Sequence, residues 1–371
     1  MISFEPTEEQ VLVRDTARQF AAEVLRVRAR DADETSSAPA DVLSAAWELG
    51  LIASQIPESC GGGGAPRSPT TFALLLEELG AGDAGLALAA FAPALFAMTI
   101  VEQGSVKQQQ RFLPQFCGRD FHVASVALVE PRPAFDPLAL DTVAEARGEG
   151  FVLRGRKSFV PFAASASHFL VIARESDAQR GGLAGVSAFV VPRDASGLTV
   201  TDTEPTLGLR AVPFAGLELD GVEVPPEDRI GGTRGFDYAR LLATSRVGLA
   251  ATLVGLSRAV MEYAIPYAKE RVAFGEPIAR KQAIAFMLAD MAIETDAMRW
   301  MVWKAASELE QGKDATRSAH LARSYVAEQA MKIADNGVQV LGGHGFIREH
   351  PVEMWYRHAR TIGVLEGAAT V

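Results

Sequence analysis

Apolar positions along the chain fall into three regimes of spacing. In the first, Thr7 and Gln10 fit a capping box, and Val13, Ala17, Phe20, Ala21 and Val24 then recur at helical intervals. A second helix is expected over 42–49, closed by Gly50. The glycine-rich run 60–64 breaks the chain, 71–79 resumes a helix that Gly80 should end, and 91–103 and 108–117 supply further helical segments. Residues 1–120 therefore read as a helical N-terminal domain.

Over 121–231 the period changes to two. Short strand-like runs at 151–153, 168–172, 186–191, 198–203 and 217–219 are separated by Pro192-Arg193-Asp194, Asp220-Gly221 and Pro225-Pro226. Intervals this short suit a small antiparallel sheet or barrel and leave no room for helical crossovers. From 232 to 371 long helices return. Ile284, Leu288, Met291, Met298, Val302, Ala305 and Leu309 form one apolar stripe, as on a helix of an antiparallel bundle. Asp314 is placed to cap the next helix and Gly342-Gly343 to stop it, while Pro266 predicts a kink in the preceding one. The fold class is α+β: helices, a small antiparallel β-domain, then a helical bundle.

Composition narrows the picture. A chain of 371 residues exceeds what one hydrophobic core usually serves, and 48% apolar with 22% charged residues is ordinary for a globular protein. The net charge of -10 argues against nonspecific nucleic-acid binding, though a few local arginines suffice for a phosphate-bearing small ligand. Cys60 and Cys117 make no disulfide framework, and no Cys/His spacing suggests a metal site. The N-terminal MISFEPTEEQ lacks the regions of a signal peptide, and the Ala-rich run 86–101 is short for a membrane span and contains Pro93. A cytoplasmic protein is the default expectation.

Four ordered motifs carry a resemblance. Tyr267-AKERVAFGEPI-Ala279 is similar to the helix-to-turn signature of the acyl-CoA dehydrogenase family, and QVLGGHGFIREHPVE followed by RHARTIGVLEG looks like its C-terminal signature. The segment VPRDASGLTVTDTEPTLGLRAVPFAGLELDGVEVPPEDRIG matches the layout of its β-domain, and IPESCGGGG resembles its "PEEYGG" turn, with Cys60 at a usual aromatic. The resemblance covers nearly the whole chain. It implies a four-helix C-terminal bundle and FAD held between the β-domain and that bundle, shared by two subunits of a homodimer or homotetramer. It also implies an acyl-CoA substrate, electron-transfer flavoprotein as acceptor, and removal of hydrogens from the α and β carbons of the thioester.

On that resemblance Glu366, in VLEG, is the candidate α-proton base, with Gly367 letting the backbone pass close to the thioester. A solvated Glu near a frayed terminus is the alternative. Some members place the base just before the residue that here is Arg246, but Ser245 cannot serve. Arg246 itself matches an arginine near the CoA portion or the site mouth; a surface salt bridge is equally open. Arg271 and Phe274 match positions that reach the pyrophosphate of the neighbouring subunit's FAD, and Gln339, Gly342 and Gly343 match contacts to its adenine half. The six histidines read as structural or solvated.

The same resemblance exposes departures. Val129 replaces a hydroxyl expected to bond the flavin ring, and Phe135 replaces a serine. Phe159 can still stack on the ring, but Pro161 offers neither hydroxyl nor N–H, and Ala368 stands where a threonine is usual. Three lost hydrogen bonds, at about 0.5–1.5 kcal/mol each, amount to roughly two to three decades of affinity. Two further readings stay open: a non-catalytic or half-site subunit of a heteromeric dehydrogenase, and an oxidase or monooxygenase branch of the superfamily.

Overall fold

The computed structural model describes residues 5–371; the first four, part of the stretch read above for a leader, lie outside it. Seven helices come first: α1 (Glu8–Phe20), α2 (Arg26–Thr35), α3 (Ala40–Glu48), α4 (Leu51–Ser54), α5 (Pro69–Gly82), α6 (Ala84–Gln103) and α7 (Val106–Phe112). The Thr7–Gln10 capping box opens α1, both of its reciprocal bonds being present. Asp83 caps α6 by accepting from the Leu86 N–H at 2.8 Å. Pro93 does not interrupt α6, which runs for 20 residues and is apolar enough to cross a membrane, a reach the 86–101 run alone does not suggest. Its apolar stretch is 94% buried inside the protein, as the central helix of a core is.

Seven strands follow: β1 (Ser125–Ala127), β2 (Val143–Arg147), β3 (Gly150–Pro161), β4 (His168–Glu175), β5 (Val186–Pro192), β6 (Leu198–Thr203) and β7 (Phe214–Val224). They pair in the order β1-β4-β2-β3-β7-β6, with β5 also on β4. The antiparallel expectation needs correcting, because β1 and β2 both run parallel to β4. The reason is geometric. β1 pairs with 169–171 and β2 with 174–175, so one advancing chain follows β4 from end to end and bulges out between them. That bulge, 128–142, forms part of the site described below.

Four helices complete the chain: α8 (Tyr238–Glu270), α9 (Gln282–Glu310), α10 (Thr316–Leu341) and α11 (Val352–Ile362). The stripe predicted on α9 is buried from Met291 to Leu309, and Asp314 accepts from the Thr316 N–H at 2.9 Å. α8 is the central helix of the molecule and packs on α5, α9 and α10. The contact with α5 corrects one boundary: α5 runs through Gly80 to Gly82. A Cβ on Gly80 would stand 2.4 Å from the Thr252 carbonyl oxygen, and one on Gly255 only 1.9 Å from that of Glu77. These two glycines let the backbones of α5 and α8 touch.

Buried charges at this crossing are paired. Glu78 receives Arg18 at 2.9 Å and Arg258 at 3.0 Å, and Glu77 receives Arg299 at 2.9 Å. His358 joins all three regions: its Nδ1 accepts from the Leu209 N–H at 2.8 Å, and its Nε2 lies 3.3 Å from Asp83.

Candidate active site

Two turns of the sheet build one wall of a cavity of about 460 Å³. The chain leaving β1 carries Val129, and a bulge in β3 carries Phe159. Several bonds clamp them together. The Ser158 N–H donates to the Val129 carbonyl at 2.9 Å, and Lys157 Nζ donates to the Leu128 carbonyl at 3.1 Å and to Glu130 Oε1 at 2.9 Å. Glu130 also accepts the backbone N–H groups of Asp141 and Thr142, at 2.7 and 2.8 Å.

The Lys157 and Glu130 side chains are 0% and 2% exposed, so each charge depends on the other. Burial pushes Glu130 up, but Lys157 and the two backbone donors outweigh it and hold the carboxyl below its ordinary range. Burial likewise lowers Lys157, against the pull of Glu130. Beside this pair, Phe159 adopts φ 51°, a left-handed conformation uncommon for an aromatic residue and one that costs about 1–3 kcal/mol. Glu204 supports it by accepting from the Phe159 N–H at 3.3 Å and the Ser158 hydroxyl at 2.8 Å.

The helices supply the opposite wall: Arg246 from α8, Arg323 from α10 and Glu366 beyond α11. Arg246 Nε donates to Glu366 at 3.0 Å (Oε1) and 3.4 Å (Oε2), with both side chains mostly buried. Glu366 is therefore no frayed, solvated residue, and Arg246 makes an internal salt bridge rather than a surface one. The Tyr238 hydroxyl donates to the Pro137 carbonyl at 2.7 Å, and burial and the Glu366 charge both push its phenol well above the ordinary value. Gly367 has φ 70°, and a Cβ there would lie 3.0 Å from the Leu128 side chain, so glycine alone suits the turn.

Five of the residues singled out from sequence thus converge here: Val129, Phe135, Phe159, Arg246 and Glu366. Five others do not. Arg271, Phe274, Gln339, Gly342 and Gly343 gather where α8 and α10 end, because the Tyr267 hydroxyl bonds His344 at 2.7 Å and Leu341 at 3.4 Å. Along α8, Arg246 and Arg271 are separated by about 37 Å at the helical rise of ~1.5 Å per residue. Of the altered positions, only Val129 and Phe135 line the cavity. The Pro161 carbonyl accepts from the Ser125 hydroxyl at 2.6 Å, and Ala368 is buried against the core.

Sequence reasoning missed two wall residues, Arg323 and His320. Arg323 had a signal: it falls on the buried stripe Ala319, Arg323, Val326, Ala330 of α10, where a cation is out of place. His320, exposed at the rim, had none.

Comparison with known proteins decides the family. Acyl-CoA dehydrogenase models match in three pieces: the N-terminal domain over residues 7–120, the middle domain over 125–222 and the C-terminal domain over 233–371. The chain belongs to the acyl-CoA dehydrogenase family. It is 34% identical to cyclohex-1-ene-1-carbonyl-CoA dehydrogenase of Syntrophus aciditrophicus (strain SB), covering 98% of this chain and 87% of that one. It is 33% identical to the mitochondrial short-chain specific acyl-CoA dehydrogenase of Bos taurus, covering 100% and 89%. Among solved structures, butyryl-CoA dehydrogenase from Megasphaera elsdenii superposes with a TM-score of 0.88 at 28% identity, covering 100% and 96%.

In this member of the family, the cavity has the size and wall chemistry to take part of a flavin. Its volume lies in the roughly 300–1,000 Å³ range of ligand sites, and its walls set apolar faces (Val129, Phe135, Phe159) against a polar edge (Ser158, Arg246, Glu366).

Proposed function

We propose that this protein is an FAD-dependent acyl-CoA dehydrogenase that oxidises the α,β bond of an acyl-CoA thioester with Glu366 as the α-proton base. The observation that carries the reading is a mostly buried carboxylate on the cavity wall opposite Phe159. FAD, when bound there, supplies the hydride acceptor. The chain does the rest. Glu366 removes a weakly acidic proton, and a positioned base is worth about 10²–10⁴-fold. Its resting bond to Arg246 must loosen for the carboxylate to reach a substrate carbon, leaving the guanidinium beside the charge that develops. The Glu366 N–H has no backbone acceptor among the described residues and is the proposed donor to a thioester oxygen.

The second cluster supports a shared site. At about 37 Å from Arg246, Arg271 is too remote to serve the same small cofactor within one chain. Phe274 is 93% exposed and held at φ 56°, a costly way to present an aromatic ring to water. Phe286 and Ile293 on α9, and Phe346 in the turn that follows α10, are also exposed. A homodimer or larger oligomer in which Arg271, Phe274, Gln339, Gly342 and Gly343 hold the far half of the neighbour's FAD accounts for all of them. Electron-transfer flavoprotein is the proposed acceptor.

The test is reconstitution with FAD, counting of cofactor per chain, and mass analysis after incubation with saturated acyl-CoAs. Near one FAD per chain and an enoyl thioester product are expected. No bound flavin and no product would return the protein to the half-site reading.

A further inference from the structure

The loop that carries Glu366 is pinned on both sides by side chains outside the reaction. On the N-terminal side Arg323 Nη2 donates to the Ile362 carbonyl at 2.5 Å and to the Leu365 carbonyl at 2.9 Å. These are a carbonyl in the last turn of α11, which also accepts the Leu365 N–H at 3.1 Å, and the peptide bond that enters Glu366. On the C-terminal side the Ser245 hydroxyl accepts from the Gly367 N–H at 3.0 Å. Ser245 is 0% exposed and Arg323 6%, so neither bond competes with bulk water. They come from different helices, α8 and α10, and close on the two peptide bonds that flank one residue.

Arg323 is an expensive way to tie down two carbonyls. Its Nε and Nη1 are buried with no hydrogen-bond partner, and it shares its surroundings with a second guanidinium, Arg246. Burial of a cation is tolerated only with nearby compensation, and the charge that supplies it here is Glu366. Two arginines thus face a single carboxylate: Arg246 holds its oxygens, and Arg323 holds its backbone.

We propose that Arg323 and Ser245 are positioning residues that clamp the 365–367 backbone and so fix how far the Glu366 carboxylate reaches into the cavity. Neither touches the reacting atoms. The proposal rests on Glu366 being the base, and it gives Ser245, which has no basicity of its own, a definite task. A base displaced by about 1 Å loses on the order of 10²-fold in rate. A base displaced in this way shows its loss in kcat.

The experiment uses the FAD-reconstituted protein and deuterium exchange at the α-carbon of an acyl-CoA, read by mass, with steady-state kcat and KM alongside. Arg323→Met should keep its FAD and fold but lose roughly 10²-fold in α-exchange and kcat with little change in KM. Arg323→Lys, which can still reach one carbonyl, should recover to within about tenfold of wild type. Ser245→Ala should lose about 3–10-fold, as expected for one neutral hydrogen bond. Glu366→Gln is the control that separates the two claims. If it abolishes exchange while Arg323→Met and Ser245→Ala exchange like wild type, the clamp is wrong and the base stands. If Glu366→Gln exchanges normally, the base assignment itself fails. An Arg323→Met protein whose exchange per bound FAD is normal, but whose melting temperature falls, assigns Arg323 to stability alone and overturns the proposal.

Discussion

Replacing Lys157 with methionine should do more damage than its distance from the reacting atoms suggests. The Lys157–Glu130 pair is 2.9 Å long with side chains 0% and 2% exposed. Removing one member strands a carboxylate that two backbone N–H groups only partly satisfy. Breaking such a pair costs about 3–5 kcal/mol. Replacing both members with apolar residues is often neutral, so Lys157→Met/Glu130→Leu should recover part of that loss. The recovery is incomplete here because Glu130 also ties the loop at Asp141 and Thr142, which the double variant leaves open. A double-mutant cycle on urea midpoints reads the coupling directly, with an expected interaction of about 2–3 kcal/mol. The same variants should lower flavin retention, since Lys157 also fixes the Leu128 carbonyl one residue before Val129. A single variant that costs under about 1 kcal/mol, or effects that simply add, would refute the reasoning.

Other outcomes follow from the same geometry. Val129→Thr restores a hydroxyl on the cavity wall and should tighten FAD by up to about tenfold, read by equilibrium titration. Arg271→Ala should weaken FAD retention more than it slows turnover of the loaded enzyme; equal effects on both would remove it from the cofactor's far half. Gly255→Ala forces a methyl against the Glu77 carbonyl and should lower the melting temperature by several degrees, at about 1–3 kcal/mol of overpacking. On acidification, Glu78, Glu130 and Glu353 all have carboxyls held below the ordinary 4.5 by their cationic partners, against the opposing push of burial. Their folded values lie below the unfolded ones, so their stabilisation is complete above about pH 4.5 and lost as the pH falls through the folded values. Urea midpoints should therefore drop steeply below that pH and stay level above it.

Much of this architecture was legible in the chain because local chemistry dictates it. The Thr7–Gln10 box, the α9 stripe and the Gly342 stop each depend on residues within a turn or two. What could not be read depends on distant partners. Gly80 looks like a helix end, and only the approach of Thr252 shows it to be a contact point. The parallel pairing of β1 and β2 with β4 arises from one chain advancing along a single edge, which alternation of side chains cannot report. In the site, motif resemblance located Glu366, Arg246, Val129 and Phe159, but the clamp at Arg323 lies 43 residues from Glu366 and joins it only through α10 packing. Its one local mark is a cation on an otherwise apolar stripe.

The most direct test compares the visible spectra of FAD-reconstituted wild type and Glu366→Gln, at matched flavin content, under anaerobic titration with a panel of straight-chain, branched and alicyclic acyl-CoAs. At least one thioester should bleach the wild-type flavin band while Glu366→Gln keeps its colour with the same ligand bound. Bleaching of both at similar rates would contradict the account and move the base elsewhere in the cavity.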